Sequence, residues 1–358
     1  MSNIFKNLVD DHSFINGYNN INDHLRDVNT FTFLSYGIHY YSIERDIINA
    51  FLFDDTINYS YFIDDINRLS VQKFFKNKIF DFIIIEGVDT SGKTYLSKKI
   101  AKELISNQFY DEIVIVNEPV NISGYTNYFK NKLEDEYRNR IKLGCSTERI
   151  FVCDLIRYNK EISNFFKYVL FLYDRFLLLQ FLKRLNKYYR NSNKNVLVIQ
   201  DRSLISSLCY QSVYIKDIFT PNEILDHSLK IISNVFPYKP DLLIYVDVEM
   251  KNVKKRFSLK HPDVMDNRAI KNLENIYKNY IYLLKNSLCN SIISKDKYFN
   301  KISNVPQHKF IEKWSKEYFS NIYIYENNHE LDSIEENINF DKLINFIKDL
   351  AVIKNYTR

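Results

Sequence analysis

The sequence predicts a three-layer α/β domain built on a parallel sheet, and three observations support this fold class. Five short apolar runs alternate with segments that carry apolar residues at helical spacing. The runs are apolar at consecutive positions, as in strands that are buried on both faces of a parallel sheet. Polar residues follow the carboxyl ends of these runs, where doubly wound sheets bind their ligands.

The first strand is predicted at Phe80–Glu86, and it leads directly into a glycine turn. A helix is predicted over Tyr95–Ile105, because apolar and basic residues recur there at helical spacing. A second strand covers Glu112–Val116 and ends before Asn117-Glu118-Pro119. The beginning of the domain therefore has the order strand, loop, helix, strand.

The rest of the domain continues this alternation, with three further strands separated by helical segments. The predicted strands are Asn195–Gln200, Asp241–Asp247 and Asn321–Tyr325. The predicted helices are Ser163–Tyr189, a basic helix over Met250–Leu259 and a closing amphipathic helix over Phe340–Ala351.

Two regions lie outside this plan. Residues 1–76 precede the first strand as an extension, which could be a small domain, a dimer element or a cover for the edge of the sheet. Within the predicted domain, 77–358, an insert at about 286–320 precedes the last strand and contains Pro306 and the lone Trp314.

Composition excludes several classes of protein. The net charge of +5 comes from interspersed residues, without the basic stripe of a nucleic-acid-binding protein. The four cysteines form no CxxC pair, which favours a reduced, cytoplasmic setting over a disulfide framework or a zinc site. The first residues do not resemble a signal peptide, and no apolar run reaches the ~18 residues of a membrane helix.

The glycine turn carries the strongest motif, because residues 87–94 fit G-x-x-x-x-G-K-[ST] at every fixed position. These residues are Gly87, Val88, Asp89, Thr90, Ser91, Gly92, Lys93 and Thr94. Such a loop turns its backbone N–H groups toward nucleotide phosphates, while its lysine contacts the β- and γ-phosphates and its hydroxyl ligates Mg²⁺. The strand before the loop and the helix after it are the context that this motif requires.

The remaining sequence narrows the class of P-loop protein. A GTPase would need an N-K-x-D element, whereas residues 131–134 read Asn-Lys-Leu-Glu. Residues 196–201 resemble the Walker B strand of motor ATPases, but Arg202 follows at once. The order of the motifs favours a small-molecule kinase that uses ATP and Mg²⁺.

Several ordered motifs make the resemblance specific. Glu86–Thr94 (EGVDTSGKT) resembles the P-loop of thymidylate kinases, in which an aspartate stands two residues after the first glycine. Asp201–Gln211 (DRSLISSLCYQ) is similar to the family's D-R-[YH]-x-x-S-[ST]-x-A-Y-Q element, with departures at Ser203 and Cys209. Pro240–Asp247 resembles its P-D-L-x-x-x-L-D strand. The resemblance spans roughly 80–285 together with the last strand and helix, and it implies a P-loop kinase fold, phosphorylation of dTMP and a homodimer.

The resemblance also implies roles for individual residues. Phe171 would stack on the thymine and Arg175, one helical turn later, would bond its exocyclic oxygen. The alternatives are core packing for Phe171 and, for Arg175, an ion pair with Asp174 or another acid. Arg202 would hold the acceptor phosphate. Asp201 would hold Mg²⁺ through water or orient Arg202, and Asp89 would lie close to the acceptor phosphate and the deoxyribose. Ser206 and Gln211 would line the substrate pocket.

A cation over the transferring phosphoryl group must come from outside the P-loop, because position 90 is threonine where some thymidylate kinases have arginine. We expect it in the lid after the fourth predicted strand. Arg256 is our first choice and Arg268 the second, and the other candidates are Lys254, Lys255 and Lys260.

The acceptor remains open between two kinds of molecule. Glu118-Pro119-Val120 lacks the thymidylate kinase element R-E-P-G-G and resembles the deoxynucleoside kinases, whose glutamate is the general base for a 5′-hydroxyl group. A nucleoside acceptor needs such a base, whereas a monophosphate is already an anion and needs cationic partners. A nucleotide-binding scaffold without catalysis is a third hypothesis.

Overall fold

The structure is a computed structural model that describes residues 78–118, 139–144, 149, 153, 156, 164–214, 239–259, 264–287, 321–329 and 333–357. The predicted extension over residues 1–76 lies outside the described residues, as do residues 288–320 of the predicted insert.

The described part of the chain contains six strands and six long helices. The strands, β1 to β6, are Asp81–Glu86, Glu112–Asn117, Ile141–Leu143, Val196–Asp201, Leu242–Asp247 and Ile322–Glu326. The helices, α1 to α6, are Lys93–Ser106, Asn164–Tyr189, Leu204–Tyr214, Met250–Ser258, Val264–Ser287 and Ile334–Thr357. The five predicted strands are all present within one residue of their expected ends.

The strands form one parallel sheet in the order β3-β2-β4-β1-β5-β6. The predicted α/β fold with a parallel sheet is therefore confirmed. β3 was not predicted; it has only three residues and pairs at the edge of the sheet with β2. A run this short carries too little periodicity to be recognised.

Burial explains why the strand predictions succeeded. β4 and β5 are buried at all six positions, and β1 is buried at five of its six. Central strands covered by helices on both faces need apolar side chains at consecutive positions, and this pattern is visible in the sequence. β1 lies between β4 and β5, so the residues that follow it stand at the middle of the sheet.

The register places polar residues together at the carboxyl edge of the sheet. Asp201 of β4 lies level with Ile85 of β1 and with Asn117 of β2. On the other side of β1, Asp247 of β5 lies level with Glu326 of β6. The polar ends of the strands thus form one row beside the residue 87–94 loop.

No helix among the described residues combines the length and the apolar character needed to cross a bilayer.

Candidate functional site

The residue 87–94 loop connects β1 to α1 and has a backbone shape that requires its glycines. Gly87 has φ +149° and Gly92 has φ +97°, both in the region that favours glycine. A Cβ atom at Gly87 would lie 2.7 Å from the carbonyl oxygen of Val246, so a side chain there would clash with β5. The loop is therefore both sharply turned and packed against the sheet.

Lys93 lies inside this loop. Its Nζ donates hydrogen bonds to the carbonyl oxygens of Gly87, at 2.7 Å, and Val88, at 2.6 Å. The side chain is buried, and it is the first residue of α1. The ammonium group is thus held at the amino end of a helix, in the concave part of the loop, where an anion would meet both the charge and the helix dipole.

Thr94 and Asp201 join the loop to the next strand. The Thr94 hydroxyl donates to Asp201 Oδ2 at 2.6 Å, although the two residues are far apart in the sequence. A hydroxyl and a carboxylate are hard oxygen ligands of the kind that Mg²⁺ prefers, and Mg²⁺ commonly uses only one or two carboxylates together with substrate phosphates. These two residues therefore fit the predicted magnesium site. Among the described residues, no three His, Cys, Asp or Glu side chains gather into a larger candidate metal group.

Arg202 meets the loop at Asp89, with which it forms an ion pair. Its backbone has φ +73°, a left-handed conformation that is unusual for a non-glycine residue, and its N–H donates to the carbonyl oxygen of Ile85 at 2.9 Å. Tyr210 supports both partners, because its phenol oxygen accepts the Asp89 N–H at 2.7 Å and its ring lies 5.4 Å from the Arg202 guanidinium carbon. A strained residue held this way is typical of a functional site.

Arg175 is almost fully buried, with 1% of the residue exposed, and it is bound to three oxygen atoms through one nitrogen. Its Nη2 donates to Glu118 Oε1 at 2.5 Å, to the Ser203 carbonyl oxygen at 2.7 Å and to Ser207 Oγ at 2.8 Å. The acid paired with Arg175 is therefore Glu118 and not Asp174, so the ion pair expected with Asp174 or another acid is made with another acid. Adjacent residues on a helix point about 100° apart and do not face each other.

Asp174 instead binds Arg149. Arg149 Nε lies 2.7 Å from one Asp174 carboxylate oxygen and Nη2 lies 2.9 Å from the other, and both side chains are fully buried. This bidentate pair holds Arg149 against α2. Two buried arginines and two buried acids thus surround the carboxyl end of β2.

Burial raises the pKa of Glu118 to about 8, although Arg175 acts in the opposite direction. Only 4% of Glu118 is exposed, so its charged form loses most of its hydration. A carboxyl group with a pKa this far from its usual range is a functional candidate on physical grounds.

Glu86, the last residue of β1, connects the loop to α3. Its carboxylate accepts hydrogen bonds from the backbone N–H and hydroxyl groups of both Ser203 and Ser206, and from the Tyr280 hydroxyl. Ser206 was expected to line the substrate pocket, but its hydroxyl is held by Glu86 and Tyr280. The role of Glu86 could not be predicted from the sequence, because its partners come from the β4–α3 connection, α3 and α5.

Phe171 and Gln211 are both buried. Phe171 belongs to the main hydrophobic core, with 6% of the residue exposed, on the same helix as Arg175. Gln211 lies on α3, one residue after Tyr210. The structure thus brings Arg175, Glu118 and the start of α3 together, with Phe171 one turn earlier on α2.

Arg256, on α4, also contacts the residue 87–94 loop. Its guanidinium donates to the carbonyl oxygens of Thr90 and Ser91, each at 3.4 Å, and to that of Asn327 at 2.8 Å. Asn327, which follows β6, donates from its side chain to the Ser91 carbonyl oxygen at 2.7 Å. Asn327 was not predicted as a site residue, because a single polar residue after a strand carries no distinctive pattern.

The other lid candidates are less closely placed. Lys254 forms an exposed ion pair with Glu274 of α5 at 2.8 Å, and Lys255 is exposed. Lys260 and the side chain of Arg268 lie outside the described residues. Of the candidates whose side chains the structure describes, Arg256 is the one that contacts the loop.

Comparisons with known proteins find several thymidylate kinases that are similar to this chain. A sequence model of the family described as Thymidylate kinase matches residues 148–300. The chain is 24% identical over 202 residues to a probable thymidylate kinase of Thermoplasma acidophilum, covering 56% of this chain and 83% of the relative. It is 27% identical over 201 residues to a thymidylate kinase of Nautilia profundicola, covering 56% and 80%. The crystal structure of thymidylate kinase from Ehrlichia chaffeensis is similar at a TM-score of 0.40 with 14% identity, covering 75% of this chain and 98% of that one.

Proposed function

We propose that this chain belongs to the thymidylate kinase family and that it transfers the γ-phosphoryl group of ATP to the 5′-phosphate of dTMP, giving dTDP. The main support for this proposal is that the residue 87–94 loop contacts both Asp201 and Arg202. Thr94 is bonded to Asp201, and Asp89 is paired with Arg202. A donor-phosphate cradle and a cationic group suited to an acceptor phosphate are therefore neighbours.

In this proposal each part of the site has one task. The backbone N–H groups of residues 87–94 and the Lys93 ammonium hold the β- and γ-phosphates of ATP. The Arg202 guanidinium leaves Asp89 and binds the acceptor phosphate, because a dianion competes effectively for a bidentate donor. Thr94 and Asp201 would hold Mg²⁺, which when bound neutralises charge on the transferring phosphates. The transfer then depends on positioning and charge stabilisation, with no side chain required as a base.

Arg256 is the proposed cation on the donor side of the site. Its contacts with the carbonyl oxygens of Thr90 and Ser91 place positive charge beside the loop. The long flexible side chain is half-buried, and burial lowers the pKa of its guanidinium. A homodimer formed by helices beside the sheet is the assembly that we expect from the family.

A steady-state assay of the purified full-length chain with ATP and Mg²⁺ tests the proposal, with dTMP and thymidine supplied separately. We expect turnover of dTMP and little turnover of thymidine. Robust phosphorylation of thymidine, with none of dTMP, would show that the acceptor is a nucleoside.

One observation favours that second candidate. Glu118 has a pKa raised by burial to about 8, which suits a general base near neutral pH. A deoxynucleoside kinase would use this carboxylate to take the proton of a 5′-hydroxyl group. The same assay decides, because a base is needed for the nucleoside and not for the monophosphate.

A further inference from the structure

Glu86 is a fully buried acid at the end of β1 to which the proposed function gives no task. Its carboxylate accepts five hydrogen bonds, two from Ser203, two from Ser206 and one from the Tyr280 hydroxyl at 3.0 Å. A carboxylate accepts hydrogen bonds and donates none, so each partner must be a donor. Bonds of this kind to a charged group are strong, and five of them hold the neighbouring elements firmly in place.

The Glu86 carboxylate lies at the amino end of α3. The backbone N–H groups of Ser203 and Ser206 donate to Oε1 at 2.5 and 3.2 Å, and the first turn of a helix leaves such groups without partners inside the helix. Ser203 Oγ also accepts the Ile205 N–H at 3.2 Å, as a capping side chain does. Because a negative charge is favourable at this end of a helix, Glu86 fixes where α3 begins.

Arg202 lies between two anchored N–H groups. Its own N–H donates to the Ile85 carbonyl oxygen at 2.9 Å, and the next N–H, that of Ser203, donates to Glu86. Its φ of +73° is unfavourable for a residue with a Cβ atom, so neighbouring contacts must maintain it. The two hydrogen bonds supply that support, and the backbone held in this shape brings the guanidinium to Asp89.

The same acid sets the position of Tyr210. Ser206, which is bound to Glu86 through both its N–H and its hydroxyl, stands one helical turn before Tyr210 on α3. The Tyr210 ring lies 5.4 Å from the Arg202 guanidinium carbon and 6.3 Å from the Tyr280 ring, which it meets edge to face. Glu86 therefore holds both the backbone of the arginine and the aromatic ring that the arginine contacts.

We propose that Glu86 is a positioning residue for the acceptor phosphate, which acts by holding Arg202 in the left-handed conformation that presents its guanidinium at the residue 87–94 loop. This inference rests on the proposed function, because it takes Arg202 as the group that binds the acceptor phosphate. The five bonds of the carboxylate all lead to residues 203–206 and Tyr280, away from the loop. Loss of the negative charge should therefore weaken acceptor binding and spare ATP binding.

A double-mutant cycle with Arg202 tests the inference, using calorimetric dissociation constants of the full-length chain for dTMP and for Mg²⁺–ATP. We expect Glu86→Gln to weaken dTMP binding by about tenfold, on the order of one hydrogen bond to a charged group, and to change ATP binding by less than about twofold. In an Arg202→Ala background the same change should have no further effect on dTMP binding, because the group that Glu86 positions is already absent. Fully additive losses would overturn the inference, and so would equal weakening of dTMP and ATP binding.

Glu336→Gln is the matched control. Glu336 is also a buried glutamate that accepts a tyrosine hydroxyl, from Tyr325 at 3.2 Å, but it lies on α6 and pairs with Lys99 of α1. The same loss of charge there should leave dTMP binding as it is in the wild type. If Glu336→Gln weakened dTMP binding as much as Glu86→Gln did, the effect would be one of general stability and the inference would be wrong.

Tyr280→Phe keeps the inference testable if Glu86→Gln does not fold. This change removes one hydroxyl donor from the Glu86 carboxylate and leaves the acid itself in place. It should weaken dTMP binding by about threefold, as for one net hydrogen bond, and should have no such effect in the Arg202→Ala background. Tyr325→Phe, which removes the corresponding hydroxyl from Glu336, should leave dTMP binding unchanged. An unchanged dTMP affinity in Tyr280→Phe would then contradict the inference.

Turnover separates this inference from the proposed function. If the wild type binds dTMP through Arg202 and Glu86 but does not phosphorylate it, the proposed function fails and the inference stands. If the wild type phosphorylates dTMP and the two losses in the cycle are additive, the proposed function stands and the inference fails. A wild type that does not bind dTMP would contradict both.

Discussion

At the scale of single residues, the buried charges around β2 are stabilising only as pairs. Arg149 and Asp174 are both fully buried and bind each other through two hydrogen bonds. Removing one member leaves an uncompensated charge in a site that water does not reach, which typically costs 3–5 kcal/mol, roughly. Replacing both members by apolar residues avoids this cost.

Arg149→Met should therefore lower stability more than the double variant Arg149→Met/Asp174→Leu. The expected loss for the single variant is about 3–5 kcal/mol, and the double variant should recover a large part of it. Urea unfolding followed by circular dichroism measures both. Equal destabilisation by the single and double variants would mean that packing, and not the unpaired charge, dominates at this position.

Single residues also show which features could be predicted from the sequence and which could not. Arg175 was recognisable as a functional candidate, because a charge inside an apolar helix needs a partner. Its partner was not recognisable, since Glu118 follows β2 and stands 57 positions away in the sequence. Likewise the Glu86 network depends on β4 and α5 lying beside β1, a fact of tertiary structure that no local pattern carries.

At the scale of elements, the residues after β6 hold the residue 87–94 loop in place through hydrogen bonds. The Asn327 side chain donates to the Ser91 carbonyl oxygen, and its own carbonyl oxygen accepts from Arg256. Gly92 lies against the same side chain, and a Cβ atom there would clash with it. The position of the residue 87–94 loop therefore depends on Asn327, which follows the last strand of the sheet.

Asn327→Ala should weaken ATP binding while leaving the acceptor side intact. Losing the hydrogen bond to Ser91 should raise the KM for ATP by about tenfold, on the order of one buried hydrogen bond, with a much smaller change in the KM for dTMP. Steady-state kinetics with each substrate varied in turn measures the two constants. Asn321→Ala, at the other end of β6, is the control, since Asn321 binds the Asp241 carbonyl oxygen away from the loop. Parallel increases in both KM values would instead indicate a general disturbance of the site.

At the scale of the whole molecule, the fold class and the order of its strands and motifs could be predicted from the sequence. The central strands were predictable because they are buried on both faces, and the loop was predictable because its glycines and lysine have fixed positions. The edge strand β3 was not, since three residues show no period. The site was predicted as a set of residues, whereas its pairings, including Asp89 with Arg202 and Arg256 with the loop, required the assembled sheet.

Because the proposed ATP site exists only in the folded chain, ATP binding and folding stability are coupled. A ligand that binds only the folded chain stabilises it by about 2.7 kcal/mol at a hundred times its dissociation constant. Mg²⁺–ATP should therefore raise the thermal unfolding midpoint, and Lys93→Ala should abolish the rise because Lys93 lies inside the phosphate-binding loop. Lys187→Ala, an exposed change on α2, should keep it. Differential scanning fluorimetry at increasing ATP concentrations measures the shift. A rise that persists in Lys93→Ala would place the nucleotide elsewhere on the molecule, and the absence of any rise in the wild type would contradict the ATP site itself.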